Sequence, residues 1–432
     1  MTKRAWWWAG GWLVAAGWAG AFPVLSGLGP HRSWGVWAAG GYLLAALAAV
    51  SARRRGRELS VAVAAVGAVL VPLGVLVLEG RGQSEVAVIE RAGSLLLHTG
   101  TPYLADPGSV VEYTPYLPGM ALLGLPRALL GNTSLGGWPL GDARLWCAAV
   151  FLVCVLRTVP AGRRLGAAAL TASPLVALPL CVSGVDLPLT GLCWLALVRA
   201  SERRPVAAGL ALATACSLKW TAWPALAVVA ALLAATAGRR AALRGAALAV
   251  GATAVAVLPV ALRAPRPLVE QVFAFPTGRG RLPTPAASPL PGRLLADLGP
   301  PGWYAAVGLL LLAGLAVGTS LFTHPPRTAT AAARRLALGL SAAFLLAPAG
   351  RFGYLALPLL LVLLPLSSSP LPDPKGLPWA PPSSSPTTSR RARAASKPSS
   401  GPWPTASPAT TSWSTPRPSP ARGAMTPLSP TR

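Results

Sequence analysis

"SVAVAAVGAVLVPLGVLVLE", from Ser60 to Glu79, decides the architecture of this chain. No charge interrupts it before its last residue. A helix of about 20 apolar residues crosses the hydrocarbon core of a bilayer with every backbone N–H and C=O paired inside the helix, as a lipid-exposed segment requires. Arg53, Arg54, Arg55 and Arg57 stand just before the stretch, and Glu79 closes it. Arginine knots mark the cytoplasmic ends of spans, so the stretch predicts a transmembrane helix running outward.

The same pattern repeats in both directions. The 432 residues are 53% hydrophobic and 12% charged, where soluble domains carry about 25% charged residues. Between the apolar blocks lie Arg157, Arg163 and Arg164; Arg199, Arg203 and Arg204; Arg239, Arg240 and Arg244; and Arg327, Arg334 and Arg335. These features predict an all-α, polytopic helical membrane protein of the cell membrane, with membrane lipids as partners. A net charge of +26 would point to nucleic acid in a soluble chain. Here the arginines sit in loop knots, so the charge belongs to topology and no nucleic-acid partner is expected.

Two local patterns are read the same way. Cys147, Cys154, Cys181, Cys193 and Cys216 all lie in apolar runs without a CxxC pair or a neighbouring His cluster. They read as small buried hydrophobes rather than metal ligands or a disulfide framework. The start, "MTKRAWWWAGGWLVAAGWAGAF", has the basic end of a signal peptide. Its apolar run is long, and the expectation is an uncleaved first span with its N-terminus inside.

With every knot placed inside, the chain threads into about twelve spans, range 10–13: 6–25, 34–50, 60–79, 143–157, 165–182, 187–200, 206–217, 220–237, 245–262, 303–321, 336–348 and 354–366. The stretch 206–237 is too long for one ordinary crossing and is predicted to break at "SLKW". The run 116–130 holds Pro118, Gly119 and Pro126 and is predicted to be re-entrant or interfacial. Two large loops, 80–142 and 263–302, fall outside. The acids supply an independent check, since only arginines set the topology. Of the 12, nine fall outside (Glu79, Glu85, Glu90, Asp106, Glu112, Asp142, Asp186, Glu270 and Asp297), and only Glu58, Glu202 and Asp373 fall inside. Loops on a rigid scaffold carry function, so the working face is predicted to be extracytoplasmic. Residues 1–366 form the membrane domain. Residues 367–432 are Ser, Pro, Thr and Arg with almost no aliphatic periodicity, which predicts a disordered cytoplasmic tail. Its abrupt onset is equally that of a shifted reading frame in GC-rich DNA.

The first outer loop opens with "SEVAVIERAGSLLLHTGTPYL", Ser84 to Leu104. Wound as a helix, it gathers Val88, Ile89, Ala92, Leu95 and Leu96 on one arc and Ala87, Glu90, Arg91, Ser94 and His98 opposite, the pattern of an interfacial helix. Glu85 points along the apolar arc and Glu90 along the wet face. Glu85 is therefore either a boundary carboxylate or a first-turn acid complementing the helix dipole, with Ser84 as N-cap. Glu90 reads as solvated. Asp186, in "CVSGVDLPLTGL", either faces a cavity or a partner, because an acid within a span costs about 2.5–3.5 kcal/mol, or sits in an outer turn between Gly184 and Pro188. Lys219 is the only lysine between Lys3 and Lys375. At the outer break of two helices it either meets a phosphate as a point charge or snorkels beside Trp220. Arg351, in "PAGRFGYLALP", is a similar outer cation. Tyr103, Tyr113 and Tyr116 fit an interfacial aromatic belt.

These stretches resemble the polyprenyl-phosphate-dependent glycosyltransferases of the integral-membrane C-type fold, nearest the actinobacterial alpha-mannosyltransferase-like group, glycosyltransferase family 87. The family's first outer loop has an Asp followed eighteen residues later by the Tyr of a Pro-Tyr pair, and counting back from Tyr103 lands on Glu85. "YTPYLPGMALLGLP", "SGVDLPLTGL" and "LKWTAWPAL" resemble its later segments. Glu85 stands where the family usually has Asp, Ile89 where it usually has Tyr, and the glutamine of the third stretch is missing. The resemblance covers roughly residues 60–366.

The resemblance implies an inverting hexosyltransferase that moves mannose from a polyprenyl-phosphate donor to a lipid or glycan acceptor on the extracytoplasmic face. Glu85 would be the general base and Lys219 and Arg351 would bind the donor phosphate. Tyr103, Tyr113 and Asp186 would touch substrate. The resemblance implies no certain cofactor and leaves room for a divalent metal. The alternative from the residues alone is a transporter built around the broken helix at Lys219 and around Asp186, or a flippase-like protein without transferase activity. An interfacial helix over an outward cavity would favour the transferase.

Overall fold

A computed structural model describes residues 3–51, 55–130 and 137–368. They belong to the first of two units, Met1–Leu371; the second, Pro372–Arg432, and with it the predicted tail from residue 369 on, lies outside the described residues. The described residues form helices and no strand, with one isolated β-bridge between Ala287 and Gly350.

Among the described residues, seven helices are long and apolar enough to cross a membrane: Ala5–Leu25, Gly29–Ser51, Gly56–Leu78, Trp220–Ala237, Arg239–Arg263, Pro300–Thr323 and Ala329–Leu346. Each overlaps an expected span. The 23 residues of Gly56–Leu78 extend about 34 Å, enough for the hydrocarbon core. The chain is thus a membrane-embedded helical protein.

The other five expected spans are shorter or broken. The segments 143–157 and 165–182 are not two simple crossings. Helices Ala143–Thr158 and Ala161–Ala172 meet at 119°, and the second stops at Ser173. Pro174 excludes helical backbone at the residue before it, and Ser173 is extended with ψ 153°. A separate helix, Pro174–Val182, follows. Leu187–Ser201, Pro205–Leu218 and Phe352–Leu366 are apolar but only 10–17 residues long. The predicted break in 206–237 is present: Lys219 is extended (φ −156°, ψ 135°) between Pro205–Leu218 and the turn Trp220–Ala222. The run 116–130 forms two short helices, Pro118–Ala121 and Leu125–Leu130.

Helices in lipid gain little from burying apolar surface against one another, so close packing of small residues holds them. Gly41 and Gly67 face each other so closely that a Cβ on either would strike the other's backbone. Beyond this contact, Pro72 cannot supply the N–H that the Ala68 carbonyl would take in a regular helix. The helix widens into a π-turn over Val66–Leu70, and the Ala68 carbonyl accepts the buried indole N–H of Trp34 at 3.0 Å.

Four local devices then position the outer loops. Helix Ser84–Thr99 ends on Gly100 in left-handed backbone (φ 74°), a conformation that costs glycine nothing. Its Gly93 packs on Gly124, where a Cβ would strike the Ile89 carbonyl. Next, the loop after Gly100 is pinned by Gln271, fully buried, which accepts from Thr114 N (3.0 Å) and donates to Leu104 O (2.6 Å). Third, Arg144 is buried against Asp142, with Nη2–Oδ2 at 2.6 Å, and donates to the carbonyls of Arg81, Cys181 and Leu76. Last, Gly350 N donates to Ala286 O (2.9 Å) and Gly350 O accepts from Ser288 N (3.0 Å), which fixes the backbone leading into Arg351.

Candidate functional site

Glu85, Asp186, Lys219 and Arg351 come from four distant segments and meet in the wall of one cavity of about 850 Å³, inside the range of roughly 300–1,000 Å³ that holds a small ligand. Arg351 Nη1 lies 2.7 Å from Glu85 Oε1, and Lys219 Nζ lies 2.8 Å from Asp186 Oδ1. Lys219 also stands over the rings of Tyr116 (5.7 Å) and Tyr354 (5.1 Å). The two ion pairs and two phenols form the polar end. Trp18, Leu178, Leu310, Phe344 and Leu360 line the apolar remainder. Several of these lie on membrane-length helices.

Helix Ser84–Thr99 carries Glu85 in its first turn and presents Ser84, Glu85 and Val88 to the cavity. The N-cap is Gln83, not Ser84 as expected. Ser84 is the first helical residue, and its hydroxyl reaches Glu85 Oε2 at 3.3 Å. Asp186 satisfies both expectations for it. It follows the turn at Gly184 (φ 72°), caps helix Leu187–Ser201 by position, and pairs with Lys219. Lys219 does not snorkel outward. The extended backbone at the helix break turns its side chain into the cavity, where 14% of it remains exposed. Arg351 is held by the bridge at Gly350, and Phe352 N donates to Ser288 Oγ at 3.3 Å.

The tyrosines are buried in protein and do not form a belt facing lipid. Tyr113 stacks on Phe275 at 4.1 Å, reaches Glu270 with its hydroxyl at 3.3 Å, and lines the cavity. Tyr116 lines it too. Burial first, then the nearby Glu85 and Asp186 carboxylates, raise its phenol well above the ordinary range, so it stays a neutral donor. Tyr103 stands apart: its hydroxyl donates to Tyr116 O at 2.9 Å from a separate cluster with Leu117, Val260, Leu268 and Val272. It supports the loop beneath the site.

Glu90 overturns an expectation. It is not solvated but accepts from Ala143 N (3.2 Å) and pairs with Arg127 (3.6 Å), with 18% of its side chain exposed. Burial raises its carboxyl, opposed by the Ala143 N–H. The helical phase placed it on the face away from the membrane, and that face is covered by the start of helix Ala143–Thr158.

Three parts of the assembly were missed in the sequence. Tyr354 lies three residues past Arg351 with no motif to announce it. Arg279, its guanidinium 3.9 Å over Trp303, lines the far wall. Arg144 had a signal, an Asp-x-Arg pair at the start of an apolar run. The cysteines are buried and free, and among the described residues no group of three His, Cys, Asp or Glu is gathered to hold a metal.

Fold and site together define a class: a membrane-embedded helical protein whose cavity joins an apolar chamber to two opposite-charge pairs. No family model, curated protein or solved structure matches the chain.

Proposed function

We propose that this chain is a membrane glycosyltransferase. It moves a hexose, mannose on the resemblance, from a polyprenyl-phosphate donor to a lipid or glycan acceptor on the extracytoplasmic face. One observation carries the reading: two carboxylates and two cations, paired Glu85–Arg351 and Asp186–Lys219, converge at the polar end of an otherwise apolar cavity. A lipid-linked sugar phosphate has the same division, a long apolar chain ending in an anion and a polyol.

The step balances on these groups. The acceptor hydroxyl oxygen attacks the anomeric carbon as its proton passes to the Glu85 carboxylate. The bond from the anomeric carbon to the phosphate oxygen breaks, and its electron pair leaves with polyprenyl phosphate. The configuration inverts. Arg351 binds the departing anion, and the charge of Lys219, which keeps Asp186 as its partner, adds to the field in a site screened from water. Tyr113, Tyr116 and Asp186 offer hydrogen-bonding groups to the sugar. The longer Glu85 side chain replaces the family's usual Asp and reaches the cavity from the first turn of its helix. The seven membrane-length helices and the shorter apolar ones fit the threading of about twelve segments, with helix Ser84–Thr99 at the outer interface.

The test is transfer of labelled mannose from a polyprenyl-phosphate donor by membranes containing the protein, against the Glu85→Gln variant. Transfer by the parent and its loss in the variant are expected; no transfer to any lipid or glycan acceptor would remove the reading. The helix break at Lys219, facing Asp186, favours transport as the second reading. Uptake or flipping of an anionic solute without any sugar transfer would establish it.

A further inference from the structure

The two ion pairs are not equivalent. Lys219 is enclosed: only 14% exposed, 2.8 Å from Asp186 and set over two aromatic rings. Arg351 is 36% exposed, and among the described residues only its Nη1 is engaged, by Glu85. A guanidinium offers five N–H donors in a planar fork that fits carboxylate and phosphate alike. Its backbone is anchored by the Ala287–Gly350 bridge, so the cation is fixed while part of its donor fork stays open to the cavity.

Among the described residues Glu85 meets Arg351 through one oxygen, Oε1. Among the described residues its carboxylate is held by Arg351 and by the Ser84 hydroxyl at 3.3 Å, and its side chain lies at the start of a helix on the cavity wall. A carboxylate carries the same single charge as the phosphodiester of a polyprenyl-phosphate sugar, and like it offers two oxygens to a guanidinium.

We infer that Glu85 occupies on Arg351 the place of an entering phosphate. The phosphate binds Arg351 by exchange with the Glu85 carboxylate, and the Lys219–Asp186 pair stays closed. One anion replaces another on the same cation, so the exchange needs no proton transfer. It also gives the site an order. Without a phosphate, Glu85 is masked by Arg351; with the phosphate seated, the carboxylate is released beside it. Where this rests on the transferase reading, the released carboxylate becomes the base only after the donor has bound.

The experiment is binding to the purified full-length protein in detergent, with inorganic phosphate and farnesyl phosphate as separate probes. Glu85→Gln removes the competing anion and is expected to tighten phosphate binding by roughly two- to fivefold, the worth of a partly exposed ion pair. Arg351→Gln should abolish the tight binding. In the Arg351→Gln background, Glu85→Gln should then make no difference, because the cation that Glu85 and the phosphate share is gone and Lys219 stays paired with Asp186. A diffuse field effect of the carboxylate would persist in that background and would overturn the exchange. So would Asp186→Asn tightening the phosphate in place of Glu85→Gln, since the anion would then belong to Lys219. Thermal unfolding of each variant identifies any that fails to fold, and Arg351→Lys, which keeps the charge and loses the fork, should bind at an intermediate level.

The probes separate the sources of the anion. Exchange with farnesyl phosphate supports a lipid phosphate; exchange with inorganic phosphate alone supports a free anion and removes the lipid donor. If the binding pattern holds and no sugar moves, the transferase reading fails alone. If sugar moves and Glu85→Gln leaves affinity unchanged, the exchange fails alone.

Discussion

Glu85 and Glu90 lie on one helix, about 140° apart around its axis, and meet different chemistry. Glu85 meets a cation in the cavity; Glu90 meets the N–H of Ala143 and Arg127 in the packing between loops. Glu85→Gln keeps the shape and removes the base, so transfer should fall by roughly 10²–10⁴ if general-base catalysis is its role. Glu90→Ala leaves the Ala143 N–H without its acceptor and should lower stability by about 1–3 kcal/mol. Transfer per folded molecule should hold, measured on protein normalised by thermal unfolding. Loss of transfer in Glu90→Ala alone would place the base on the wrong carboxylate. Lys219 can be examined the same way. Lys219→Met strands the Asp186 carboxylate in the wall, at a cost on the order of 1–3 kcal/mol, below that of a fully buried pair because Asp186 is 31% exposed. Adding Asp186→Asn should restore much of that stability without restoring donor use. If Lys219→Met leaves both stability and donor use unchanged, the pair contributes to neither.

At the scale of elements, two contacts hold the site's geometry. Gly124 allows the 118–130 hairpin of helices to approach helix Ser84–Thr99 where any side chain would strike the Ile89 carbonyl. Gly124→Val should cost roughly 1–3 kcal/mol by overpacking and should separate Glu85 from Arg351, so transfer falls further than stability. A variant with parent transfer and parent melting would show that this approach does not position the carboxylate. The second contact is Trp34 on the Ala68 carbonyl that Pro72 leaves unpaired. Trp34→Phe should destabilise the first helices by about 1–3 kcal/mol. Pro72→Ala returns the missing N–H to that carbonyl and should relieve part of the loss, read from melting of the single and double variants. No relief would mean that the indole contributes packing alone.

At the scale of the molecule, the proposal depends on which face the cavity opens toward. The arginine knots predict that residues 80–142 and 263–302 lie outside. A single cysteine introduced near residue 108 or 285 should react with an impermeant thiol reagent added to sealed cells, and one near 55 or 330 should not. The five native cysteines are buried, so their background should be low. Labelling near 55 or 330 would move the whole site to the cytoplasmic face, where a polyprenyl-linked donor loses its rationale.

By itself the sequence determined that this is a helical membrane protein, where seven membrane-length helices lie, and that the chain breaks at Lys219. Those features follow from local physics. About 20 uncharged residues suffice for a span, and a basic knot marks its end wherever the rest of the chain goes. It also singled out Glu85, Asp186, Lys219 and Arg351, because charges are scarce in apolar surroundings and each one stands out. Only the tertiary structure decided who pairs with whom. The partners of Glu85 and Asp186 lie 266 and 33 residues away, and no periodicity encodes such a distance. The burial of Glu90 was hidden for the same reason: helical phase shows which side a residue faces, and what covers that side comes from another part of the chain. Bent crossings such as Ala143–Ala172 escaped as well, since hydropathy counts apolar residues and cannot register a 119° turn between them.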